Sequence, residues 1–203
     1  MLLKLDKLIA KYNMKITGVA QFGANAGQEV SLFESLGIRT IHLIEPCTDA
    51  FTELYNTYGG KYNLHNCAVS NFSGEQSMYV TDFNNGQSNS LLKPKLHIEY
   101  YPNIEFNTFE TVCVRKIDDM IFNDVNFWVF DIQGNEIYAL EGAKKSLWQV
   151  DYIYTEVNNH EMYENCGRIE DLDAALKDFV RVETRLVRNQ SWGDSLYIHK
   201  RLL

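Results

Sequence analysis

The sequence predicts a doubly wound α/β fold: a mostly parallel sheet, helices on both faces, and an antiparallel hairpin at the C-terminal end. Short apolar runs alternate with amphipathic segments of helical length along most of the 203 residues. Such a βαβα order requires a parallel sheet covered on both sides. The first apolar run leads through a glycine-containing turn into a helical segment, as a ligand-binding strand-to-helix turn does. The last two apolar runs have no helical segment between them, so they pair as an antiparallel hairpin.

Taken in chain order, Leu2, Leu5, Leu8, Ile9 and Tyr12 share one helical face and give a packing helix within residues 1–15. Residues 16–22 form a strand, 28–36 a helix and 40–45 a second strand. Asp49 has the chemistry of an N-cap for a helix reaching residue 58. A third strand covers 64–69, a turn follows at Asn71-Phe-Ser-Gly74, and 75–80 alternates as an edge strand. Residues 81–110 are rich in Asn, Ser and aromatics without a period, and a loop of that length is usually functional, often a lid. Regular structure resumes with a strand at 111–115, a short helix at 118–122, a strand at 127–132, a helix at 136–147 and a strand at 152–157. A helix at 169–177 precedes the final strands at 180–188 and 195–200. No repeat or linker divides the chain, which predicts one domain over residues 1–203.

Composition narrows the function. Hydrophobic residues make up 45% of the chain and aromatics 13%, enough for a full core. With 19 Lys and Arg against 27 Asp and Glu, the net charge is -8, which counts against a nucleic-acid partner. No stretch approaches the roughly 20 uninterrupted apolar residues that span a bilayer. Lys4, Asp6 and Lys7 interrupt the N-terminus, so no signal peptide or membrane segment is expected. Cys47, Cys67, Cys113 and Cys166 are far apart, without a CxxC pair or a Cys/His cluster, which suits reduced thiols in the cytoplasm and no metal site.

The chemistry concentrates at the first turn, Gln21-Phe-Gly-Ala-Asn-Ala-Gly27. In an open parallel sheet, ligands bind beyond the carboxyl ends of the strands, where the strand order reverses. Gly23 and Gly27 let the backbone turn sharply and a ligand approach without meeting a Cβ. Their G-x-x-x-G spacing is not the G-x-G-x-x-G of dinucleotide binders. Eighteen residues past Gly27, the second strand ends in Ile44-Glu45-Pro46. A carboxylate there faces the same crevice and can accept both hydroxyls of a ribose, which points to a nucleoside-type cofactor.

Residues 18–27, Gly-Val-Ala-Gln-Phe-Gly-Ala-Asn-Ala-Gly, are followed by Ile44-Glu45-Pro46, Asn66-Cys-Ala-Val-Ser70 and Val114-Arg-Lys-Ile-Asp-Asp119. Then come Phe130-Asp-Ile-Gln-Gly-Asn-Glu136, Leu140-Glu-Gly142, Thr155-Glu-Val157 and Trp192-Gly-Asp-Ser-Leu-Tyr197. In this order, and over roughly residues 16 to 199, the set resembles the FkbM family of S-adenosylmethionine-dependent methyltransferases. The resemblance implies the class I methyltransferase (Rossmann-like) sheet of seven strands, the last inserted antiparallel near one edge. It also implies S-adenosylmethionine as cofactor and a hydroxyl of a small molecule, sugar or secondary metabolite as acceptor.

Carried over by position, the resemblance has Gly23, Asn25 and Gly27, with Gln21 at the head of the motif, around the methionine part of the cofactor. Glu45 would take the ribose, Ala68 and Val69 would border the adenine, and Asp131 would lie beside the methionine amine or the substrate. A hydroxyl acceptor benefits from a base, and Asp131, Glu156 and His160 stand near the ends of the fourth and fifth strands. The polar segment 84–90 either closes over the cofactor or is an exposed turn, and Tyr100, Tyr101 and Phe106 either line an acceptor pocket or anchor the loop. The family commonly has an acidic residue at Gln21, Lys at Phe130 and Glu at Gln133. Those three changes leave a non-catalytic module with the same fold as the competing class, ahead of an NAD-dependent oxidoreductase.

Overall fold

The computed structural model describes residues 1–203, the side chain of Asn84 excepted. Helix α1 (Leu5–Tyr12) buries Leu5 and Leu8. It is followed by β1 (Gly18–Phe22), α2 (Val30–Ser35), β2 (Thr40–Ile44), α3 (Thr48–Tyr58) and β3 (Asn63–His65). Three strands and a short helix come next: β4 (Ala68–Val69), β5 (Gly74–Val80), α4 (Leu96–Tyr100) and β6 (Thr108–Arg115). The C-terminal part holds β7 (Phe127–Phe130), α5 (Glu136–Glu141), β8 (Tyr152–Asn158), α6 (Ile169–Ala175), β9 (Phe179–Val187) and β10 (Trp192–His199).

Seven strands form one sheet in the order β3-β2-β1-β7-β8-β10-β9. All pairings are parallel except those of β10, which runs antiparallel to both β8 and β9. β1 and β7 are buried along their whole length because helices cover both faces. The period of two sends their side chains to opposite sides. Val19, Phe127 and Val129 pack into one core cluster, while Ala20, Phe22, Trp128 and Phe130 pack into the other. The chain order reverses between β1 and β7, so the crevice expected of a doubly wound sheet opens above their carboxyl ends.

The predicted strand at 64–69 is two strands in two sheets. Asn66 breaks the run: its Nδ2 donates to the carbonyls of Glu45 and Pro46 at 3.0 and 3.1 Å, tying the chain to the end of β2. β4 then leaves the main sheet and joins a second, three-stranded sheet of order β4-β6-β5. The strand at 75–80 is an edge there, not in the main sheet. Residues 81–110, unpatterned in sequence, hold a 3-10 turn at Phe83–Gly86, helix α4 and the start of β6. Pieces of four or five residues are too short to show a period. Asp49 lies in the first turn of α3, where its charge favours the helix dipole, and Cys47 holds the flanking position. The expected helix at 118–122 is a single 3-10 turn, Ile117–Asp119. Among the described residues, no helix is long and apolar enough to cross a membrane.

The sharpest constraint in the sheet sits at Gly23. Its φ is +81°, and a Cβ there would lie 1.8 Å from the Asp131 carbonyl oxygen. Gly37 has nearly the same φ, +80°, with open space around its Cβ position. Gly23→Ala should therefore cost about 3 kcal/mol or more, from backbone strain and overpacking together. Gly37→Ala should cost only about 1 kcal/mol, from the backbone alone. Urea unfolding of both variants checks the difference.

Candidate functional site

A cleft of about 490 Å³ opens above the carboxyl ends of the central strands. That volume falls within the roughly 300–1,000 Å³ of small-molecule sites. Toward β2 it is lined by Gly23, Asn25, Glu45, Pro46, Ala68 and Val69. Asp131, Gln133, Glu156 and Asp194 occupy its middle, at the ends of β7, β8 and β10. His97, Tyr101, Met162, Tyr163 and Trp192 wall the side toward β8 and β10.

Glu45 follows β2 directly and is 5% exposed. Its Oε2 accepts the Asn25 amide at 2.8 Å and its Oε1 the Cys47 amide at 2.9 Å. Burial pushes its carboxyl up to about 7, against the pull of these two amides. Asn25 has a φ of +46° and donates through Nδ2 to the Asn85 carbonyl at 3.0 Å. Ala68 and Val69 are both buried and offer an apolar border.

The middle of the cleft is acidic and internally bridged. Gln133 Nε2 donates to Asp131 Oδ1 at 2.6 Å and lies 3.1 Å from Glu156 Oε2. Its Oε1 accepts from the Tyr163 hydroxyl at 2.9 Å. A neutral amide joins two carboxylates at a position where a glutamate would add a third negative charge, so the departure from the usual motif has a structural use. Asp131 is exposed to the cleft, yet enclosing protein holds its carboxyl above the ordinary range, with Asp194 adding repulsion. Glu156 is raised well above that range by burial and then by Asp131, Glu136 and Asp194. Among the described residues, these groups do not converge as a metal site.

Several expected site residues lie elsewhere. Gly27 does not line the cleft, and a Cβ there would meet Tyr58 and Leu54 at 2.7 and 2.9 Å, so its close approach is to α3. Gly23 does line the cleft, but its missing Cβ is required by Asp131, not by a ligand. Gln21 lies below the cleft beside a separate cavity of about 10 Å³, with Nε2 donating to Glu29 at 2.8 Å and Oε1 buried without a partner. That space suits one water. His160 is not on the cleft; its Nδ1 lies 3.1 Å from the Tyr100 hydroxyl. Phe130 stacks on Phe22 at 4.6 Å within the core.

Other cleft residues escaped the sequence reading. Of Tyr100, Tyr101 and Phe106, only Tyr101 lines the cleft. Tyr163 and Trp192 are ordinary aromatics by sequence. Asp194, a buried carboxylate in the apolar closing strand, was the one signal available and accepts a bond from Tyr154. Segment 85–90 straps the cleft. Besides the Asn85 carbonyl, Asn89 Nδ2 reaches Cys47 Sγ at 3.2 Å, and Ser90 Oγ donates to the Gln133 carbonyl at 2.7 Å.

The chain belongs to the FkbM methyltransferase family: the methyltransferase FkbM domain matches residues 21–190. It is 24% identical over 158 residues to the 2-O-methyltransferase NoeI of Sinorhizobium fredii (strain NBRC 101917 / NGR234). That match covers 72% of this chain and 65% of the relative, a little under two thirds of its length. The fold is similar to methyltransferase FkbM from Methylobacillus flagellatus KT, with a TM-score of 0.60 and 18% identity over 90% of this chain and 43% of that one. It is also similar to a Streptococcus pneumoniae protein in complex with S-adenosyl-L-methionine, with a TM-score of 0.53 and 13% identity over 98% of this chain and 73% of that one. The seven-stranded sheet is thus the Rossmann-like methyltransferase sheet, with its antiparallel strand in β10.

Burial of acids has a consequence for stability. Glu136, 3% exposed, accepts the Ile132 amide at 3.1 Å and is pushed from 4.5 up to about 7 by burial. Between those two values the folded protein holds a proton that the unfolded chain has released, so stability falls as pH rises through the window. Glu136→Gln keeps an acceptor but cannot titrate. It should reduce the loss of stability between pH 4.5 and 7 by roughly 2–3 kcal/mol, measured by urea unfolding across that range.

Proposed function

We propose that this methyltransferase takes its methyl group from S-adenosylmethionine and transfers it to a hydroxyl oxygen of a small molecule or carbohydrate. The observation that carries the cofactor reading is Glu45. Each of its oxygens spends one lone pair on a backbone amide and keeps another, enough for the paired hydroxyls of a ribose. The rest of the cleft fits the same ligand. Ala68 and Val69 border an apolar slot for the base, and Asp131 and Glu156 suit a cationic amine. The family and the 2-O-methyltransferase relative support the reaction and the hydroxyl acceptor.

When bound, the cofactor supplies an electrophilic methyl group on a sulfonium. The chain's own part is to position and to enclose. Asp131 and Glu156, held by Gln133, keep lone pairs toward the cleft, and an incoming cation offsets the burial, and then the repulsion, that raise their pKa values. Glu45 fixes the distance of the ribose from these carboxylates because it is bonded to the same turn that rests on Asp131. The 85–90 strap limits water access from above.

Glu45→Gln keeps the shape of the site and removes the charge. It should weaken S-adenosylhomocysteine binding by about 1–3 kcal/mol, read by calorimetry. Unchanged affinity would move the ribose site away from β2.

A further inference from the structure

His97 lies in α4, is 6% exposed, and lines the cleft on the side away from Glu45. Its ring is held by Tyr101, Phe106 and Tyr163 at centroid distances of 5.1, 5.6 and 5.3 Å. Its backbone amide donates to the Met162 carbonyl at 3.1 Å, which fixes the start of α4. Neither ring nitrogen hydrogen-bonds to the described residues, and Nδ1 is fully buried. A bare buried polar atom costs roughly 1–3 kcal/mol and calls for an explanation. An apolar ring would fill the space without that cost, so the imidazole is explained by its other nitrogen, Nε2, and not by packing.

The surrounding groups keep the imidazole neutral. Glu99 on the same helix is exposed, while Glu161 and Glu164 on the packed loop are paired with Lys95 and Lys93 at 2.5 and 2.6 Å. Tyr163 turns its hydroxyl to Gln133 and the Ser88 carbonyl, and the Tyr101 hydroxyl accepts from Trp192 Nε1 at 2.9 Å. Burial pushes the His97 pKa down to about 4, so a lone pair stays available at neutral pH. With Nδ1 sealed, Nε2 is the nitrogen open to a ligand.

We propose that His97 Nε2 hydrogen-bonds the acceptor hydroxyl and takes its proton, in a subsite where Tyr101, Tyr163 and Trp192 lie against the ring of a neutral glycoside. The inference rests on the methyl-transfer reading above. An oxygen lone pair forms the new O–C bond while the C–S bond breaks and its electrons stay on sulfur, which becomes a neutral thioether. The O–H electrons remain on oxygen, the proton passes to Nε2, and the imidazolium returns it to water. A weak base suffices because an alkylated hydroxyl is far more acidic than the free one. Asp131 and Glu156 line the same cleft and are connected to Tyr163 through Gln133. The same carboxylates repel an anionic acceptor, and aromatic faces bury the apolar face of a sugar.

The test uses histidine ring 15N spectra of the whole chain saturated with S-adenosylhomocysteine and titrated with a series of methyl glycosides or with catechol. Glycosides should shift the His97 ring signals saturably and leave those of His42, His65 and His199 in place. His97→Gln identifies the His97 ring signals by removing them, and it should bind S-adenosylhomocysteine as the wild type does. For any glycoside that is methylated, His97→Gln should lower kcat about 100-fold or more while changing KM much less. No glycoside shift at His97, or a shift with catechol alone, would overturn the proposal while leaving the cofactor reading intact. Failure of S-adenosylhomocysteine to bind would instead remove the reading on which it rests.

Discussion

The first turn of the chain rests directly on the end of β7. Gly23 comes so close to the Asp131 carbonyl that a single methyl group could not be inserted. The amides of Gly23 and Ala24 reach across to the Ile44 carbonyl at 2.9 and 3.0 Å, and the Asp131 amide returns to the Phe22 carbonyl at 3.0 Å. The ends of β2, β1 and β7 are thereby fixed as one rigid platform, and Glu45 and Asp131 keep their separation from it. The cleft is placed by this backbone contact at the reversal of strand order, and its side chains only furnish it.

Charge is the second organising feature. Five carboxylates, Glu29, Glu45, Asp131, Glu156 and Asp194, line one cleft of a protein that is already acidic. Burial makes Glu45, Asp131 and Glu156 more expensive to ionise, and neutral donors answer them: the amides of Asn25 and Cys47 and the Gln133 carboxamide. Such a cleft is prepared for a ligand that brings its own positive charge. Opposite this acidic middle stands an aromatic wall of Tyr101, Tyr163 and Trp192, so the cleft has two chemically distinct sides.

Much of this was legible in the sequence, because long apolar runs and a helical period are local signals. The parallel sheet, the C-terminal antiparallel hairpin and the placing of Glu45, Asp131 and Glu156 near strand ends follow from runs that packing did not override, whereas the seven strands and the antiparallel insertion were implied by the family resemblance alone. The three-stranded sheet was hidden because Asn66 redirects the chain through a side-chain bond, which leaves no periodic trace. Gly27 has the positive φ, +82°, that a sharp turn needs, but a glycine records only that something approaches, and the group that approaches it is Tyr58. His97 lies in the five-residue helix α4 and Tyr163 in an irregular loop, both too short of pattern to read in sequence, and only tertiary packing brings them to the cleft. His160, closer in sequence to the fifth strand, points to Tyr100 instead.

The account turns on the cleft being built for a sulfonium nucleoside. Calorimetric titration of the wild-type chain with S-adenosylmethionine, S-adenosylhomocysteine and NAD in parallel tests that most directly. Saturable binding of both sulfur nucleosides at one site per chain, with no heat from NAD, is the predicted result. Binding of NAD, or of none of the three at millimolar concentration, would contradict it.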